Sequence, residues 1–139
     1  MTTTAEVRSA LAGAVRNAQF NGNALACSMH PTMNLDAPAA FVKRLPYDPR
    51  MVLGGTRHTG NFQVWVCVAI VDAEAAGIAL DALCDPSDTN GVPYNVELEG
   101  NWPDATIQSV AVSLIGEMTE VRTDTDGYFA VPIDVEVVW

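Results

Sequence analysis

The chain has 139 residues, 49% of them hydrophobic, which is the size of one domain with enough material for a sizeable core. Its net charge of −10 argues against nucleic-acid recognition, because an acidic surface repels phosphate through the same long-range field by which a basic one attracts it. No stretch approaches the roughly 20 apolar residues of a membrane span, and the polar Met1–Glu6 start lacks the pattern of a signal peptide, so a cytoplasm-like compartment is expected.

The charge is unevenly placed. Residues 1–57 carry six basic side chains (Arg8, Arg16, Lys43, Arg44, Arg50, Arg57) and three acidic ones (Glu6, Asp36, Asp48), a balance of +3. Residues 58–139 carry Arg122 alone against fourteen carboxylates, a balance of −13. An acidic surface serves solubility, but such a split also lets a basic edge of one subunit meet an acidic face of the next.

In chain order, Thr3 with Glu6 three residues on is a capping-box pattern, and Val7, Leu11, Ala14, Val15 and Ala18 recur at helical spacing. They predict a helix that Asn21-Gly22 ends, with Glu6, Arg8, Ser9 and Arg16 on its wet side. Leu25, Cys27 and Met29, then Phe41 and Val42, predict two short strands. Between Lys43 and Asn61 runs a turn-rich stretch too long for a tight hairpin, and loops of that length are usually functional or disordered.

Phe62, Val64, Val66, Val68 and Ile70 alternate with Gln63, Trp65, Cys67, Ala69 and Val71, which predicts a central strand covered on both faces, at least once assembled. Asp72 caps a second helix with a buried stripe of Ala76, Ala79, Leu80 and Leu83, stopped by Asp85-Pro86. The turn-rich residues 85–105 leave room for a short helix near Val92 to Leu98. Two more strands follow. Ile107 to Ile115 sets Gln108, Val110, Val112 and Leu114 against Ser109, Ala111 and Ser113, and Phe129 to Trp139 alternates likewise, with Asp126-Gly127 turning before it. Pro132 cannot donate to a ladder, so the last strand should be an edge or be bulged there. The fold class is α+β: one domain over 1–139, an antiparallel or mixed sheet of about four to five strands, and two main helices packed on one face.

Chemical motifs are sparse. Cys27 and His30 have C-x-x-H spacing, but a tetrahedral zinc site needs two more ligands, and His58, Cys67 and Cys84 form no second pair. The three cysteines, set among apolar neighbours, suit buried reduced thiols. Asp85, Asp88 and Asn90-Gly91, like Asp124, Asp126 and Gly127, resemble fragments of calcium loops without the closing glutamate, a pattern that Asx turns also produce. There is no nucleophile elbow, P-loop, dinucleotide glycine motif or metalloprotease spacing, so neither an enzyme nor a cofactor is expected. Trp102 in a loop and Trp139 at the C-terminus suit either a core or a subunit interface.

The chain combines an opening helix with Val7-Arg8-Ser9-Ala10-Leu11, a strand running into an alanine-rich helix over Val64 to Leu83, the Leu83-Cys84-Asp85-Pro86-Ser87 break, and a closing strand from Tyr128-Phe129-Ala130-Val131 to Val135-Glu136-Val137. In this layout it resembles the tail-terminator proteins of long-tailed bacteriophages. The resemblance implies a virion protein of the tail neck, assembled in the host cytoplasm. It would form a hexameric ring that caps the tail tube, ends its polymerisation and receives the head connector, while DNA passes through without specific binding. The expected contacts with a neighbouring subunit are Lys43, Arg44, Arg50, Arg57, Trp102 and Trp139, and Glu97, Glu99, Asp124 and Asp126 are expected to face the channel. Another head–tail neck or head-completion protein is the nearest alternative, and a binding module or enzyme with a pocket under the 43–60 loop is the alternative of a different class.

Overall fold

A computed structural model describes residues 3–31, 38–45, 58–103, 106–122 and 127–139. The first helix, α1 (Thr4–Val15), starts on the capping box: the Thr3 hydroxyl accepts from the Glu6 N–H at 3.2 Å, and the Glu6 carboxylate accepts from the Thr3 N–H at 2.6 Å. It ends at Val15, earlier than expected, because Asn21 (φ 51°) and Gly22 (φ 81°) form the tight turn of a hairpin between β1 (Gln19–Phe20) and β2 (Asn23–Ala24). Two consecutive positive φ angles are what a two-residue hairpin turn of matching twist demands, and Asn-Gly supplies them.

Among the described residues the main sheet has six strands. Along it lie β3 (Ala26–Ser28), β4 (Ala39–Arg44), β5 (Thr59–Ala69), β8 (Gly127–Val138) and β6 (Ser109–Ile115), while β7 (Thr119–Arg122) pairs with β8 beyond β6. Among the described residues only the β3–β4 pairing is parallel, so the sheet is mixed. With α2 (Ala73–Leu83) and the short α3 (Val92–Glu97), the chain is α+β as expected, with more strands than the alternation alone revealed.

The helices pack on one face. The apolar sides of α1, α2 and α3 form one core with Val42, Phe62, Val64, Val66, Ile133, Val135 and Val137. On the other face no helix packs among the described residues. There Gln63 and Trp65 are half-buried and Ala69 is exposed, so the expected two-sided covering of β5 is absent in the single chain. Val71, expected to continue β5, is 96% exposed beyond its end.

Two irregularities reshape the far edge. A bulge between Val112 and Leu114 turns Leu114 toward the open face beside Asp134, where it is 59% exposed, and turns Ile115 inward. The expected alternation places Leu114 with Val110 and Val112, and this one-residue slip corrects it. Pro132 lies inside the sheet, since β8 is paired along both sides. Its carbonyl accepts from Gly116 at 2.7 Å in the gap between β6 and β7, so its missing donor falls where the neighbouring ladder is already broken.

Candidate functional site

The most structured surface feature is a groove at the β6 edge, built by the chain after α2. Asp85 accepts from the Ser87 N–H and hydroxyl (2.9 and 2.7 Å), and Asp88 accepts from the Asn90 N–H (2.9 Å). The first of the two stretches that resemble calcium loops thus consists of Asx turns serving the backbone, while Asp124 and Asp126 of the second lie outside the described residues. The two bonds from Ser87 hold the exposed Asp85 carboxyl below its ordinary pKa. Gly91 then begins α3 at a place where a Cβ would come within 2.8 Å of the Asp85 carbonyl.

Asn95, 6% exposed, locks this segment. Its amide donates to the carbonyls of Gly91 (2.8 Å) and Thr89 (3.0 Å), and the Asn101 amide donates to its backbone carbonyl at 2.9 Å. A 3-10 turn at Glu99–Asn101 follows, and the Trp102 indole N–H donates to the Val96 carbonyl at 2.6 Å. Trp102 is therefore held half-buried with its ring fixed.

Glu97, Glu99, Trp102, Ile107, Gln108, Ser109 and Val110 line an open groove of about 500 Å³. Its floor is apolar and half-covered, and its rim carries two exposed carboxylates. Trp102, expected at an interface, and Glu97 and Glu99, expected in a channel, thus share one site. Nothing in their sequence spacing announces this; α3 and the 3-10 turn bring them together. Sequence reasoning missed Asn95, Ile107 and Val110, of which only the buried Asn95 inside a turn-rich segment left any signal.

The opposite edge is basic. At the end of β4, Lys43 is exposed and shares the open face with Gln63 and Asp134, while Arg44 is exposed on the helical side, level with Phe62. Beneath Arg44 lies Arg8, which donates to the Met29 carbonyl at 3.2 Å and meets His30 Nδ1. Burial, and then the charge of Arg44, lower the Arg8 pKa. Arg16 fastens the end of α1 to β3 through two bonds to the Cys27 carbonyl, at 3.1 and 2.8 Å. Arg122, on β7, pairs with Glu120. The expected contacts Arg50 and Arg57, and the expected channel residues Asp124 and Asp126, lie outside the described residues, as do residues 46–57 of the loop proposed to cover a pocket.

Trp139 is 7% exposed and belongs to the core. Its indole lies over Gly60 and against the His58 ring, with centroids 5.9 Å apart, and its backbone exchanges two hydrogen bonds with His58. Of its two expected roles the single chain displays the core one. Cys27, Cys67 and Cys84 are free and buried, and burial pushes their thiols up to about 12, 11 and 12. Among the described residues no three His, Cys, Asp or Glu side chains gather as a metal site would require.

On the open face, Phe41 and Trp65 stack with ring centroids 6.4 Å apart. The Trp65 indole donates to Gln63 at 2.7 Å, and Gln63 donates to Asp134 at 2.9 Å, so the Trp65 ring of this aromatic pair is oriented by a polar chain running from β5 to β8. No protein-family model and no curated protein sequence matches this chain.

Proposed function

We propose that this protein is a ring-forming structural subunit of a virion neck, of the tail-terminator kind: it caps the tail tube, ends tail polymerisation and joins the tail to the head connector. The observation that carries the reading is the opposition of charge across one sheet. Lys43 and Arg44 stand at the end of β4 toward one edge, Arg8 and Arg16 of the α1 segment bond to the Met29 and Cys27 carbonyls along that edge, and the acidic Trp102 groove lies at the other. A ring closes through heterologous contacts, which require two different and complementary patches on each subunit. Opposite edges of one sheet meet that requirement, whereas a single self-complementary patch would stop at a dimer.

The acidic surface fits the second demand of such a ring. DNA has to pass through without adhering, and carboxylates keep phosphate at a distance. The role needs neither a reacting group nor a cofactor.

Electron microscopy of the protein mixed with tail-tube subunits tests the reading. Tubes of defined length, each ended by a ring of this protein, are the expected result. Tubes that grow unchecked, with no density at their ends, would exclude it.

A further inference from the structure

We infer that the Trp102 groove is the acceptor half of the contact between copies, and that the end of β4 from a second copy, led by Lys43, occupies it. This inference rests on the ring reading above. The groove has a chemistry that selects its occupant. Two exposed carboxylates, Glu97 and Glu99, rim a half-covered apolar floor of Ile107 and Val110, beside an indole fixed by its bond to Val96. An aliphatic stem ending in a cation fits such a place: the stem lies on the floor, and the ammonium meets the carboxylates and the indole face.

The same chain carries that guest. Residues 58–121 contain no Lys or Arg, so no cation of the second half stands near the groove in sequence to neutralise it. Lys43 is exposed on the opposite side of the sheet, three strands away from β6. It also lies toward the same end of the strands. Lys43 is level with Gln63 and its neighbour Arg44 with Phe62, while Ser109 and Val110 are level with Thr59 and Gly60 through β8. Guest and groove therefore stand toward opposite edges within a few residues of the same level, Lys43 on the open face and the groove on the helical face, so the next copy in a head-to-tail row is turned about the row to bring one to the other. Lys43, Glu97 and Glu99 are all exposed, so substituting them alters association without emptying a packed interior.

The test is a charge exchange read by sedimentation velocity and electron microscopy, with circular dichroism verifying the fold of each variant. Lys43→Glu alone, and Glu97→Lys with Glu99→Lys, should each raise the concentration needed for ring assembly about tenfold or more, because each sets like charges against one another. Combining all three substitutions in one chain should restore assembly. So should mixing the two variants in equal amounts, since each then offers the other a complementary edge. If wild-type rings form and the variants assemble as the wild type does, the groove assignment is overturned and the ring reading stands. If the variants fail and neither the combined chain nor the mixture recovers, the pairing of Lys43 with the groove is overturned. If the wild type forms no ring alone or on tail tubes, the ring reading and this contact fall together.

Discussion

Alternate residues of one strand meet opposite fates on β5. Phe62, Val64 and Val66 have no exposed surface and lie under the helices, while Gln63 and Trp65 between them are half-buried and tied into a polar chain ending at Asp134. The covered face is apolar and close-packed, and it specifies the fold. The open face mixes an aromatic stack with amides and carboxylates, a composition that leaves it usable as a surface. On β5 and β8 the covered side is thus apolar throughout, while the open side mixes Trp65, Cys67 and Pro132 with Gln63, Asp134 and Glu136.

The largest expected effect breaks this contrast if it fails. Ile133→Ala removes a fully buried side chain from the covered face and should cost about 2–5 kcal/mol in urea unfolding. Trp65→Ala, one register step away on the open face, loses the Phe41 stack and part of its burial and should cost about 1–2 kcal/mol. Equal losses would mean that the open face is as much a part of the core as the covered one.

A glycine sharpens the comparison at an intermediate scale. A Cβ on Gly60 would come within 2.7 Å of two Trp139 ring carbons and 3.1 Å of Phe62. The indole is wedged between Gly60 and His58 at the end of the covered face and has little room to move. Gly60→Ala should therefore destabilise by about 1–3 kcal/mol, the range for overpacking a filled core. The measurement is a thermal or urea midpoint, together with loss of the near-ultraviolet signal of Trp139.

What was legible in the sequence follows the same division. The capping box at Thr3, the N-cap at Asp72 and the period-two runs of β5 and β8 are local signals with local causes, and the structure reproduces them. The Asn21-Gly22 pair was legible as a turn, but its partners β1 and β2 are two residues each, too short for a periodicity to show. Leu114 was misplaced because a bulge changes parity without changing composition. Pro132 suggested an edge or a bulge in the last strand, and β8 is neither: it is paired on both sides and in register with β5, and the break lies in its neighbours β6 and β7. The candidate site was legible as residues and not as a place: Glu97, Glu99 and Trp102 were singled out for different roles, and only α3 and the 3-10 turn set them around one groove. The charge opposition was half visible, as +3 against −13 along the chain. That the two halves end on opposite edges follows from strand order, which sequence does not contain.

The smallest effect asks whether depth on the two faces differs for a titrating group. Cys27 and Cys84 belong to the core beneath the helical layer, and their thiols are pushed up to about 12 by burial, with Arg16 opposing the shift at Cys27 and Asp81 adding to it at Cys84. Cys67 lies on the open face and reaches about 11, by burial alone. Its surface is the least accessible of the three, at 1%, but it lies under neighbouring side chains only, and desolvation depends on depth as well as on the first layer of cover. All three folded values exceed the ordinary thiol value of 9.0, so the folded chain holds these protons more tightly than the unfolded chain does. The stability this contributes is complete below pH 9 and is lost as pH rises through about 11 to 12. Unfolding midpoints should be level from neutral pH to the unfolded thiol value and decline above it. Alkylation followed by mass spectrometry along that alkaline series should label Cys67 first. Labelling of Cys27 or Cys84 ahead of Cys67 would show that the open face shields its thiol as deeply as the helices shield theirs.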